Sequence, residues 1–161
     1  MATGANAGEV IQVVSTSKTD TFSLSTASTY TDVTGLSVTI TPSSASNKIL
    51  VMYKVSIGTN AGNGFGYTKL LRGATDIFIG DSSGSRVQAT QGGCSVGSQV
   101  AYFNGATFLD SPNTTSATTY KIQAYAQAGT GVIYVNRSYD DSDGTVSSRD
   151  ASSITVMEIK G

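Results

Sequence analysis

Apolar and polar residues alternate with a period of two along almost the whole sequence, and helical spacing is hard to find anywhere in it. The clearest run is KILVMYKVSIG, where Ile49, Val51, Tyr53, Val55 and Ile57 fall on one face. Leu50 and Met52 on the opposite face predict a strand covered on both sides at its start, as in the middle of a sandwich. LSVTIT sets Leu36, Val38 and Ile40 against hydroxyls in the same way. Further runs are 10–15, 21–25, FGYTKLLRG, DIFIGD, QVAYFNGATFLD, YKIQAYA, GVIYVNR and SSITVMEIKG. A hairpin is expected about Gly73, and a bulge or break at Gly105. Roughly eight to ten short strands with no helix and no internal linker define an all-β protein. The expected fold is a single antiparallel β-sandwich of the jelly-roll kind over residues 9–161, after a flexible N-terminal arm of residues 1–8.

Only two prolines occur, and each stands where a strand ends: Pro42 in TPSSASNKIL and Pro112 in SPNTTSATTYKI. Proline fixes φ and has no N–H for a ladder, so it stops pairing. The Ser/Thr/Asn run behind it satisfies its own backbone through local side-chain hydrogen bonds. Both stretches are therefore expected to be corners that carry the chain from one sheet to the other, with Asp110 capping the second. Two longer polar segments, 81–98 and 138–151, read as loops.

Composition excludes several kinds of chemistry. The chain has no His, which removes the commonest general base and zinc ligand and the Ser-His and Cys-His pairs of nucleophilic catalysis. The one cysteine, Cys94 in GGCSVGS, has no internal disulfide partner and no Lys, Arg or His beside it to activate the thiol. Charged residues are 13% of the chain, its 161 residues carry a net charge of -1, and no Lys/Arg cluster offers a nucleic-acid footprint. No apolar run approaches the roughly 18 residues of a membrane span. MATGANAGEV has neither the basic nor the apolar region of a secretory signal.

The remaining motifs are weak. YDDSDG resembles a calcium loop with Asp141, Asp143 and Asp150 at later positions, but Tyr139 stands where the first oxygen ligand belongs, so a solvated loop is favoured and no metal is expected. Gly62, Gly64 and Gly66 match neither a dinucleotide fingerprint nor a phosphate loop. NTT at Asn113 and NRS at Asn136 match glycosylation acceptors at a rate that chance explains in a chain with about 45 Ser and Thr. No catalytic residue and no cofactor are expected.

GEVIQVVST, YTDVTGLSVTITPSSASNKILV, FLDSPNTTSATTYKIQ and SSITVMEIKG together resemble a β-rich module of tailed-phage virion proteins, especially of phages infecting cyanobacteria and other aquatic bacteria. The resemblance runs from Gly8 to Gly161, and its most specific parts are Leu-Asp-Ser-Pro and the terminal Met-Glu-Ile-Lys-Gly. It implies a non-enzymatic structural protein on the surface of a phage head or tail, touching major capsid or tail proteins. Strand order is also similar to tumour-necrosis-factor and C1q jelly rolls. That similarity implies a homotrimer, with Tyr53, Tyr67, Tyr102 and Tyr125 near the three-fold axis.

Two roles fit such a protein. One is a capsid decoration or cement protein, held by symmetry-matched surfaces and a tethering arm. The other is a fibre tip that binds host surface polysaccharide through its loops. For ligand or partner binding the polar and aromatic residues of the two long loops are the candidates: Arg86, Gln88, Tyr139, Asp140, Asp141, Asp143 and Arg149.

Overall fold

The computed structural model describes residues 6–59, 64–94, 100–129 and 131–161, with the backbone alone at Cys94. Most of the expected arm, Gly62, the Cys94 thiol and the end of the first long loop lie outside the described residues. Eleven strands make up the described fold: β1 (Val10–Lys18), β2 (Phe22–Leu24), β3 (Thr31–Ile40), β4 (Lys48–Gly58), β5 (Phe65–Arg72), β6 (Thr75–Ile77), β7 (Gln91–Cys94), β8 (Ala101–Asp110), β9 (Thr118–Ala126), β10 (Ile133–Val135) and β11 (Ser152–Ile159). Among the described residues no helix is long and apolar enough to cross a membrane.

The first sheet runs β1-β11-β4-β8, and β10 with β2 continues it along β4 beyond the end of β11. The second runs β3-β9-β5, with β6 and β7 one after the other along the far edge of β5. Every pairing between these strands is antiparallel. From β3 onward the long strands alternate between sheets, which is the wiring of a jelly roll. The single all-β sandwich expected from the alternation is thus the fold observed.

The core follows from the alternation. Ile49, Val51, Tyr53, Val55 and Ile57 of β4 are all buried, and they meet Leu36, Val38, Ile40, Leu70, Tyr120 and Ile122 of the second sheet. Leu50 and Met52 on the other face of β4 are half-buried.

Both proline segments do carry the chain between sheets, from β3 to β4 and from β8 to β9. Local bonds hold them as expected: Ser46 N–H donates to Ser44 Oγ at 3.3 Å, and Ser116 N–H to Thr114 Oγ1 at 3.0 Å. Each corner also rests on a buried carboxylate from a strand end. Asp110 and Glu158 both lie opposite Ile49 in the register, so they share one inward-facing row at the same end of the sandwich. Asp110 accepts from Arg72 NH1 (2.8 Å to each oxygen) and from Tyr120 OH (2.6 Å), which ties β8 to two strands of the opposite sheet.

Three local expectations are corrected. β8 runs through Gly105 without a break, paired to Lys54. The glycine is needed because a Cβ there would come 2.7 Å from the Tyr53 carbonyl oxygen. DIFIGD is a strand only as far as Ile77, since Phe78 turns the chain at φ 52. The first long loop contains a strand, β7, whose sequence QGGC reads as a turn. Gly92 and Gly93 are there because a ring lies against each: a Cβ would meet Tyr67 at 2.7 Å on one and Tyr102 at 2.6 Å on the other.

Candidate functional site

The two long loops form two separate concavities. Residues 78–90 leave β6 at Phe78, which stacks on Phe108 with ring centroids 4.9 Å apart. Gly80 N–H then donates to Ala89 O, and Gln88 Nε2 to Gly80 O at 2.9 Å, closing the loop on itself. Arg86 NH1 donates to Ser83 Oγ at 2.9 Å. The resulting groove, about 340 Å³, is lined by Tyr67, Arg86, Gln88, Gln91 and Gly92 among others. Beside it Tyr30 lies across the outer face of the second sheet, 5.0 Å from the Tyr125 ring and under Lys69 Nζ at 4.2 Å. Its hydroxyl donates to Gln88 O at 2.7 Å. Burial first, then the neighbouring Tyr125, push the Tyr30 phenol well above its usual pKa.

The other concavity, about 250 Å³, lies in the β10–β11 loop and is lined by Asp141, Ser142, Asp143, Gly144, Ser147, Ser148 and Arg149. Its charges are largely spent within the loop. Arg149 pairs with Asp141 at 2.7 Å, and Arg137 approaches the same carboxylate at 3.7 Å while lying 3.5 Å over the Tyr134 ring. Tyr139 packs edge-on against Tyr134 at 5.8 Å. Asp140 caps Ser142 N–H, and Asp150 accepts from Ser56 Oγ at 2.6 Å. Two guanidiniums on Asp141 oppose a cation there, and among the described residues no three acidic, His or Cys side chains gather as metal ligands. Of the glycosylation-like motifs, Asn113 is exposed and Asn136 is fully buried. Asn136 Nδ2 donates to Lys18 O and Asp20 O, while its Oδ1 accepts from Ser152 Oγ. It fills the gap between β10 and β11.

Arg86 and Gln88 therefore line one groove, and Asp141, Asp143 and Arg149 the other; Tyr139 and Asp140 support the second loop. The four tyrosines divide differently. Tyr53 is inside the sandwich, its hydroxyl 3.2 Å from Thr68 Oγ1. Tyr102 points inward too, its hydroxyl donating to Gly93 O at 2.9 Å and accepting from Gly66 N–H at 3.2 Å. Tyr67 and Tyr125 meet edge-on at 5.8 Å on the outer face of the second sheet. The four share no single surface.

Among the described residues, Glu158 is the ionisable group held by the most donors. It is fully buried and accepts from Asn47 Nδ2 (2.5 Å), Gln12 Nε2 (2.6 Å), Ser43 N–H (2.7 Å) and Ser43 Oγ (2.8 Å). Burial pushes its pKa up, but the donors from Asn47, Gln12 and Ser43 outweigh that and hold it at about 2. At neutral pH it therefore fastens the Pro42 corner to the last strand as an anion. It is a structural group, and sequence reasoning missed it although a signal was present: Glu158 falls in phase with the inward Ile154 and Val156.

The outer face of the first sheet offers a different kind of surface. Directly paired residues of an antiparallel ladder share a face. The registers Val13↔Met157, Met157↔Leu50 and Leu50↔Leu109 therefore draw one apolar row across all four long strands. Val10 and Ile159 lie in the row on one side of it, Met52 in the row on the other. Val13 is 53% exposed, Leu109 52% and Phe103 51%. Between Leu109 and Phe103 the face sinks into an open hollow lined by Met52, Lys54, Gly105, Thr107 and Ser153.

No protein-family model and no curated protein matches the chain. Among solved structures, the chain is similar over 96% of its length to a chain in the structure of infectious bursal disease virus Gt strain, with a TM-score of 0.50 and 10% identity. A chain in the structure of the Gx strain of the same virus gives a TM-score of 0.48 at 11% identity. The present chain spans about two fifths of the length of these neighbours, 39% and 43%. At such identity the likeness to the Gt-strain chain concerns the fold: an all-β sandwich that also occurs in a viral structure.

Proposed function

We propose that this chain is a non-enzymatic structural protein of a virus particle, displayed on the particle surface as a decoration or fibre-type module. The observation that carries the reading is the sandwich shared over 96% of the chain with a viral structure. The chemistry is consistent with it. Asp110 and Glu158 are the two buried carboxylates at the corner end, and both are saturated by hydrogen bonds that hold the fold together. The experiment is quantitative mass spectrometry of purified particles from the source. The reading predicts the protein at a fixed ratio to the main shell protein, hundreds of copies for a decoration and a few to a few dozen for a fibre module. Its absence from washed particles would overturn the reading.

A second reading, a saccharide-binding tip, is favoured by one feature: the groove beside β7. There the Tyr67 ring lies against Gly92, with the Gln88 and Gln91 amides and Arg86 around it. An aromatic ring with neutral amides at a shallow groove suits a sugar ring and its hydroxyls. The structural reading ranks first because it draws on the whole chain and the saccharide reading on one loop.

A further inference from the structure

Among the described residues nothing covers the apolar row on the first sheet, and its makeup indicates what does. The row Val13–Met157–Leu50–Leu109 carries no charge, and neither does the next one, Ser15–Thr155–Met52–Thr107. The two lysines of the flanking rows are both engaged: Lys54 Nζ sits 3.7 Å over the Phe103 ring, and Lys48 Nζ donates to Ser111 Oγ at 2.8 Å. Two such faces can meet without bringing like charges together in the central rows.

The same face presents projecting side chains and a place to receive them. Val13, Leu109 and Phe103 stand half-exposed, while an open hollow lies beside Gly105 between Leu109 and Phe103. Four strands about 4.8 Å apart, over some eight residues at about 3.4 Å each, span on the order of 500 Å². Two copies covering that face remove on the order of 1,000 Å² from water, which is where specific protein interfaces begin. Scattered exposed apolar residues need no explanation, but a continuous row across four strands does.

We infer that the outer face of β1-β11-β4-β8 is an interface between copies of this chain, centred on Val13, Leu50, Leu109 and Met157. This deepens the structural reading by naming a partner, yet it can be tested without any particle. The interface residues differ from the tyrosine set that strand-order resemblance implies. An area at the lower limit for specific contacts gives a modest pairwise affinity, so association is visible at high concentration and is reinforced when many copies are arrayed.

Sedimentation velocity of the whole chain across a concentration series tests this. The unmodified protein is expected to move from 16.5 kDa monomer to a defined oligomer as concentration rises toward the millimolar range. Val13→Asp and Leu109→Asp, both at exposed positions on edge strands, should weaken association at least about tenfold. Val146→Asp, in the β10–β11 loop where Val146 is 59% exposed, should not. Circular dichroism and melting curves confirm that each variant is folded. A 16.5 kDa species at every concentration, or an oligomer indifferent to both face variants, would overturn the inference. So would a monomer whose Val13→Asp form loses attachment to purified particles, because that outcome gives the face to a different protein. In that case, and in the case of a plain monomer, the structural reading would stand or fall separately on the particle mass spectrometry.

Discussion

Glu158 shows how a single buried anion can hold a corner. Four donors converge on it from β1 and from the segment after Pro42, and they keep the carboxylate ionised although it is fully buried. Its folded pKa, about 2, lies below the ordinary 4.5, so the charged form is the one bound more favourably by the fold. The stability this provides is present in full above about pH 4.5 and is lost as the pH falls toward 2. Melting temperature should therefore drop across that window in the unmodified protein. Glu158→Gln should lower stability at neutral pH by about 2 kcal/mol, since one amide N–H then faces the Gln12 and Asn47 donors. The variant should also show a shallower acid decline. An acid profile identical in both proteins would assign the loss to other carboxylates.

At the scale of elements, the strands most legible in the sequence are those whose partners share its alternation. β4 runs over Lys48–Gly58, the whole of KILVMYKVSIG, and both proline corners stand where φ-fixing and hydroxyl runs place them. β7 was not legible, because QGGC has no apolar residue that alternates with a polar one before Cys94. Its glycines make sense only once the rings of Tyr67 and Tyr102 are brought against them by strands far away in the chain. The break expected at Gly105 was wrong for a related reason: the glycine accommodates the backbone of β4, and pairing continues through it. Gly93→Ala should cost about 1–3 kcal/mol, because the Tyr102 ring must leave together with its hydroxyl bonds to Gly66 and Gly93. Gly144→Ala, where a Cβ meets open space, should stay within about 0.5 kcal/mol. Equal melting temperatures for the two variants in chemical or thermal unfolding would contradict the account of β7.

For the whole molecule, the sequence made the sandwich legible but not the layout of its outer faces. The loops were found as loops, and Arg86 and Gln88 do line one groove while Asp141, Asp143 and Arg149 line another. The apolar row was invisible because Val13, Leu50, Leu109 and Met157 come from four distant segments. Only strand register aligns them, and a slip by one residue would have turned each inward. The molecule thus has one apolar outer face and, on the opposite sheet, a polar groove. We propose a structural protein of a virus particle whose copies meet there through the first of these. Amide hydrogen exchange compared between the free protein and the purified particle tests it most directly. Added protection should concentrate in the edge strands β1 and β8, whose outer faces carry Val13 and Leu109, with residues 80–92 exchanging as in the free protein. Protection confined to 80–92, with β1 and β8 unchanged, would contradict the account and favour the groove as the contact.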